Sequence, residues 1–207
     1  MTRLPVSLFL LALLLGGCTA ISALEDASRP LEIYELRTPP AGSLTARPRD
    51  IELVVEEPYS SGALATERIM IRPGPLRAQY LPGVRWADPA PAMVQTLLLR
   101  SLAETGAFGS VGRRPVGTTA DFAILSELTD FQAETSTGRD GATIAVRLMV
   151  RILRERDSRV VATRTFSVSE SAAATDPDTV AAAFDAAARR MMADIVPWVL
   201  SRSGASP

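Results

Sequence analysis

Ile144-Ala145-Val146-Arg147-Leu148-Met149-Val150-Arg151-Ile152 alternates between two sets of side chains. Successive strand residues leave on opposite faces, so Ile144, Val146, Leu148, Val150 and Ile152 share one face and Ala145, Arg147, Met149 and Arg151 the other. The first set is wholly aliphatic and must cover a core; the second is at least partly wet. Strand-like runs flank this stretch, Phe122–Phe131 before it and Arg159–Ser169 after it. Turn residues at Gly138–Gly141 and Arg156–Ser158 separate them, so the expectation is an antiparallel meander.

Two helices bracket the meander. Asp88-Pro89 places a capping side chain before a proline at the first helical position, and Val94, Leu97, Leu98 and Leu102 follow at helical spacing. This helix should run to about Thr105, with Gly106 stopping it. Asp176-Pro177 repeats the signature, and Asp178 adds a negative charge near the helix's positive end. Val180, Phe184, Ala187, Met191, Ile195 and Trp198 form the second apolar stripe, Pro197 should kink or end its last turn, and 201–207 reads as a loose tail. Earlier in the chain, Leu31–Arg37 and Ile51–Glu56 read as strands, the latter with Ile51, Leu53 and Val55 on one face. Glu67–Arg72 and Leu76–Leu81 flank Pro73-Gly74-Pro75 as a hairpin. The expected fold is α+β: a single, mainly antiparallel sheet with two main helices packed on one face.

The first residues carry a different message. Arg3 precedes the apolar run Val6–Leu15, too short to span a bilayer, which needs about twenty residues. Leu15-Gly16-Gly17-Cys18 looks like the lipobox of bacterial lipoproteins, a leucine and two small residues before the acceptor cysteine. In that pattern 1–17 is a signal peptide, 18–30 a lipidated tether, 31–200 the folded domain and 201–207 a tail. A covalent N-acyl diacylglycerol on Cys18 would be the only non-protein group, with no other cofactor and no metal. Thr19 after the cysteine favours the outer membrane, although inner-membrane anchoring remains open.

Composition narrows the chemistry. The chain has 207 residues, 22 basic and 23 acidic side chains, no histidine and one cysteine. Every basic residue is arginine. No Ser-His-Asp triad, Cys-His pair, imidazole metal site, intramolecular disulfide or CxxC pair can be built. No Gly-x-x-x-x-Gly-Lys-Ser/Thr loop occurs, so the chain is not itself an ATPase. A net charge of −1 without a basic block argues against nucleic acid as a partner.

Several short segments occur in a recognisable order behind the lipobox: Tyr34-Glu35-Leu36, Ile51–Val55, Leu64-Ala65-Thr66-Glu67-Arg68-Ile69, Ile71-Arg72-Pro73-Gly74, Gln79-Tyr80, Arg85-Trp86-Ala87-Asp88-Pro89, Asp121-Phe122 and a C-terminal helix ending in Trp198. In this order the chain resembles the ABC-type transport auxiliary lipoproteins, also called PqiC-like, over roughly Ile33–Val199. The departures are a lone aromatic at Tyr80 and Ala90 between Pro89 and Pro91.

The resemblance implies a non-catalytic periplasmic lipoprotein. Its partners would be an MCE-domain protein with its permease and ATPase, moving lipids or hydrophobic compounds between the membranes. It also admits a homo-oligomer. The alternative is a lipoprotein that regulates a peptidoglycan synthase, disfavoured because only about a dozen residues separate Cys18 from the first strand. A lipid-modifying hydrolase fits least, for want of histidine.

The candidate partner-binding residues are Arg68, Arg72, Tyr80, Trp86 and Asp88. Arg68 and Arg72 would share a strand face able to meet phosphate or acids. Trp86 is either an interface anchor or a staple ahead of the helix, with Asp88 as its cap. Met149, Met191 and Met192 are candidates for a soft lipid groove, with core packing as the other reading. Arg147, Arg151, Arg154, Arg156 and Arg159 form a basic stretch toward a strand end. For the anchor, Cys18→Ala is expected to release the protein from membranes or mislocalise it. Detergent-dependent membrane fractionation of that variant would overturn the lipobox assignment.

Overall fold

The computed structural model describes residues 30–39, 48–114, 119–135 and 140–205. It divides into two units, Met1–Glu32 and Ile33–Pro207. The first lies almost wholly outside the described residues, and with it the lipobox and Cys18.

The strands are β1 (Glu32–Tyr34), which begins at the last residue of the first unit, and, in the second unit, β2 (Arg49–Val55), β3 (Tyr59–Ser60), β4 (Met70–Gly74), β5 (Arg77–Tyr80) and β6 (Val84–Trp86). After helix α1 (Ala90–Ala103) come β7 (Phe108–Gly112), β8 (Phe122–Glu134), β9 (Ala142–Arg154), β10 (Arg159–Ala172) and helix α2 (Pro177–Ser203). The meander β8-β9-β10 is antiparallel throughout, as the alternation requires. Ile144, Val146, Leu148, Val150 and Ile152 are all buried. α2 lies on β9 and β10, and α1 lies on β2, β7 and α2.

The meander's far side departs from the expected sheet. The inner edge of β8 is lined in succession by β2, β3 and β4, all parallel to it, and β7 runs parallel to β2. The result is a mixed eight-stranded sheet, with β1 and β6 forming a separate two-stranded sheet. Alternation tells which face of a strand is buried but not the direction of its neighbour. Parallel neighbours need a crossover, and the segment containing α1 supplies one between β2 and β7.

Both helices differ from expectation at one end. Pro89, not Asp88, caps α1, and no side chain accepts a bond there. The Ala90 N–H instead donates to the Thr66 carbonyl at 3.3 Å, so a distant loop takes over the cap's work. At α2, Asp176 does cap, accepting the Thr179 N–H at 3.0 Å. Pro197 does not end this helix, which runs to Ser203. Pro197 and Ala193 are both exposed, so water can take the Ala193 carbonyl that proline leaves unpaired. Burial of Val199, Leu200 and Ser203 holds the last turns, and Ala205 is buried too, so 201–205 is not a loose tail.

The core centres on three rings from three distant segments. Trp86 lies edge-on to Phe184 at 5.2 Å between centroids, Phe131 and Phe184 are 4.8 Å apart, and Trp86 and Phe131 5.9 Å. Trp86 is 1% exposed. Its role is therefore packing, and the ring has no free face for a partner. Trp86→Ala is expected to cost about 3–5 kcal/mol through the cavity it leaves. Thermal unfolding should report a melting temperature lower by on the order of 10 °C; an unchanged midpoint would contradict the triad's role.

Candidate functional site

The hairpin β4–β5 gathers three of the residues singled out by sequence. The Arg68 guanidinium sits 3.9 Å from the centroid of the Tyr80 ring, a cation–π contact. The Tyr80 hydroxyl donates to the Ala63 carbonyl at 3.2 Å, which fixes the ring under the arginine. Arg72 lies in β4 opposite Glu134 on β8. Arg68, however, lies in the bend before β4, so the two arginines do not share a strand face. One guards the tyrosine; the other belongs to the sheet, where its Nε is buried without a hydrogen-bond partner. The hairpin tip carries Leu76, 96% exposed, between Pro75 and Arg77.

Trp86 and Asp88 do not join this cluster. Trp86 points into the core, and Asp88 lines a separate groove of about 270 Å³ with Glu35, Met93, Thr96, Arg100 and Arg113. The methionines separate as well. Met191 and Met192 are buried under α2, whereas Met149 is on the opposite face of the sheet, so they form no common groove. The basic stretch is broken by pairing: Arg147 meets Asp130 at 3.0 Å, and Arg154 grips Asp157 with two nitrogens at 2.7 and 2.9 Å.

A clamp that no local pattern announces closes the other end of the sheet. Arg114 donates from Nε to Glu56 at 2.7 Å and from a terminal nitrogen to Glu155. Glu155 also accepts the Ala120 N–H at 2.9 Å. The Arg114 bond first, and then the Ala120 N–H, hold the Glu155 carboxyl below the usual carboxylate range. Beside the clamp opens a polar cleft of about 920 Å³, lined by Asp50, Glu52, Asp121, Arg154, Glu155 and Arg156 among others. Partners in this clamp lie 41 and 58 residues apart in the chain, which is why spacing could not reveal it.

A third ionic junction ties the segment after β1 to α2. Asp185, 5% exposed, accepts the Arg37 backbone N–H at 2.9 Å and its guanidinium at 2.7 Å, with Arg189 3.3 Å away. Burial works to raise this carboxyl; the Arg37 bonds and the Arg189 charge outweigh it and leave it lowered. The other displaced carboxyls, Asp157 and Asp176, are likewise held down, by Arg154 and by the Thr179 N–H. These are stabilised anions, suited to holding structure rather than to donating protons at neutral pH. Among the described residues, no group of three or more Asp, Glu, His or Cys side chains could hold a metal ion, and no helix is long and apolar enough to cross a membrane.

Comparison with known proteins places this geometry. The family model for the ABC-type transport auxiliary lipoprotein component matches residues 34–196. An uncharacterized protein of Bradyrhizobium diazoefficiens, bll6063, is 30% identical over 175 residues, which are 81% of this chain and 44% of that protein. The chain thus spans about half the length of the curated relative it matches. The crystal structure of protein XCC0632 from Xanthomonas campestris, assigned to the family model DUF330, superposes with a TM-score of 0.74 at 26% identity, covering 84% of this chain and 96% of that one. The hypothetical protein CT253 of Chlamydia trachomatis shares the fold at 13% identity and a TM-score of 0.51, over 76% of this chain and 100% of its own.

The Asp185 junction gives a pH prediction. Its carboxyl is lowered on folding, so its contribution is complete above the unfolded value and lost as pH falls through the folded one. Asp185→Ala is expected to cost about 1–3 kcal/mol at neutral pH. Stability measured against pH should show the parent converging on the variant below about pH 4; a constant gap down to pH 2 would contradict the assignment.

Proposed function

The chain belongs to the ABC-type transport auxiliary lipoprotein family, and from that premise we propose that it is the non-catalytic periplasmic component of an MCE-type transport system. Acylated Cys18 holds it to the membrane, in the outer membrane by the Thr19 reading. There it docks or receives from an MCE-domain protein whose permease and ATPase drive lipids or hydrophobic compounds between the membranes.

The observation that carries this reading is the family match, which runs through nearly the whole folded domain, from Tyr34 in β1 to Val196 in α2. The site chemistry supports it. The carboxyls with displaced titration are anions fixed by arginine or backbone N–H groups, and the side chains that remain outward, Arg68 over Tyr80 and Leu76 at the hairpin tip, suit contact rather than bond-breaking.

In-cell crosslinking of the acylated full chain, followed by pull-down and mass spectrometry, tests the proposal. Recovery of an MCE-domain protein is the expected result, and co-eluting phospholipid would make the protein a receiver as well as a dock. Recovery of a peptidoglycan synthase without an MCE protein would overturn it.

A further inference from the structure

Between Glu67 and Asp88 the sequence holds four arginines, Arg68, Arg72, Arg77 and Arg85, and no acid. Arg85 pairs with Glu67, and Arg68 lies over the Tyr80 ring. Among the described residues no ion pair includes Arg72 or Arg77. Glu134, the acid opposite Arg72, instead accepts the Gln132 amide at 3.2 Å, and the Arg72 Nε is buried without a hydrogen-bond partner. Between these two arginines Pro75 and Leu76 form the turn of the hairpin, with Leu76 almost wholly exposed. A lone exposed leucine is ordinary; one carried at the tip of a paired arm between two unpaired cations calls for a reason.

The register fixes where that tip stands. β4 runs parallel to β8, and Arg72 lies opposite Glu134, the last residue of β8. Gly74 and the turn therefore project past the end of the sheet, Gly74 by about 7 Å. The start of β9 and the end of β10 lie at the same end, since Glu134 faces Thr143 and Thr143 faces Ser171. β10 ends at Ala172 and α2 begins at Pro177, and Asp178 in its first turn accepts the Tyr34 hydroxyl at 2.7 Å. Tyr34 follows Ile33, where the second unit starts. The N-terminal segment thus joins the domain at the end of the sheet from which Leu76 projects, while Arg114 and Glu155 clamp the opposite end.

We propose that the tip of the β4–β5 hairpin is a second membrane contact, an inference that rests on the lipid-anchored reading above. Leu76 enters the boundary between headgroups and acyl chains in the leaflet that holds the anchor, and Arg72 and Arg77 bind the phosphates of anionic phospholipids there. An apolar side chain flanked by guanidinium groups matches that boundary: the leucine leaves water while the arginines stay among the headgroups. The arm is ordered before it binds. Met70 pairs with Tyr80 and Ile71 with Gln79, β4 is also paired with β8, and the Arg68–Tyr80 stack braces the base. A two-residue tip offers far less than the roughly 800 Å² per partner that a stable protein interface buries, whereas a bilayer needs no matched surface. With both contacts made, the domain stands with its clamped end turned away from the bilayer.

The test uses the full acylated chain carrying Leu76→Cys with an NBD fluorophore on the new thiol, reconstituted in vesicles of phosphatidylethanolamine and phosphatidylglycerol. Flotation of the vesicles reads the anchor; quenching of the fluorophore by doxyl-labelled lipid reads the hairpin. Quenching is expected for the Leu76→Cys label and not for the same label on Arg156→Cys at the clamped end. Arg77→Gln, at an exposed position where folding is not at stake, should weaken the contact about fivefold, and its combination with Arg72→Gln by on the order of tenfold or more. Vesicles of phosphatidylcholine alone should weaken it as much. A chain that floats with its Leu76→Cys label unquenched overturns the hairpin contact and leaves the anchor standing, whereas a chain that neither floats nor is quenched overturns both. Equal quenching in phosphatidylcholine, or at both label positions, would also sink the proposal. So would a tip label shielded from water-soluble quenchers in cells but untouched by doxyl lipid, which would assign the tip to a protein.

Discussion

The Trp86, Phe131 and Phe184 rings meet where a short strand, the long β8 and helix α2 converge, and the rest of the domain is arranged around that meeting. Each ring comes from a segment that cannot bury it alone. Among the described residues β6 pairs only with β1, and a two-stranded ribbon is not stable by itself in water. Trp86 fastens that ribbon to the core, and its backbone N–H also donates to the Glu67 carbonyl at 2.6 Å. Phe184 sits on the inward stripe of α2 next to Asp185 in sequence, so the same turn that packs the aromatic core also presents the carboxylate that captures Arg37. Packing and the ionic junction therefore hold the segment after β1 from two sides.

The meander and both helices were legible because each carries its period in consecutive residues. Ile144 to Ile152 repeats every two residues, and Val180 to Ile195 repeats by threes and fours; burial follows both patterns. Legibility ended where the determining partner lies far along the chain. The parallel seating of β2, β3 and β4 on β8 is a pairing choice that their own alternation cannot express. Asp88 has a capping side chain, but the Thr66 carbonyl, brought back by the loop before β4, takes the first helical N–H. Pro197 follows the same rule in reverse: its helix-breaking tendency is outweighed by buried neighbours and by the exposure of the carbonyl it frees.

The candidate site was legible in part, for the same reason. Arg68 and Tyr80 came from neighbouring strand-like segments joined by a short turn, and the structure does stack them. Trp86 was weighed between interface and core, and only the position of Phe184, nearly a hundred residues later, decides for the core. The Arg114 clamp unites three segments with no common motif. A sequence shows that Glu56 and Arg114 are charged; it does not show that folding sets them 2.7 Å apart.

The charge pattern constrains how such a domain can recognise anything. Arg85 pairs with Glu67, Arg114 with Glu56 and Glu155, Arg147 with Asp130, Arg154 with Asp157, and Arg190 with Glu170. Exposed pairs of this kind contribute little to stability, at most about 1 kcal/mol each. Their larger effect is local: with a net charge of −1 and these arginines each matched to an acid, little long-range attraction from them is left to steer a partner in. Recognition must then come from short-range fit. The features able to supply it are backbone donors and acceptors along an open strand and side chains standing clear of the surface, as Leu76 does at the hairpin tip. A tethered protein tolerates slow encounter, because anchoring confines it and raises the effective concentration at which it meets other membrane-bound components. A membrane anchor of the kind proposed and a nearly neutral, partly paired surface would thus be compatible parts of one physical design.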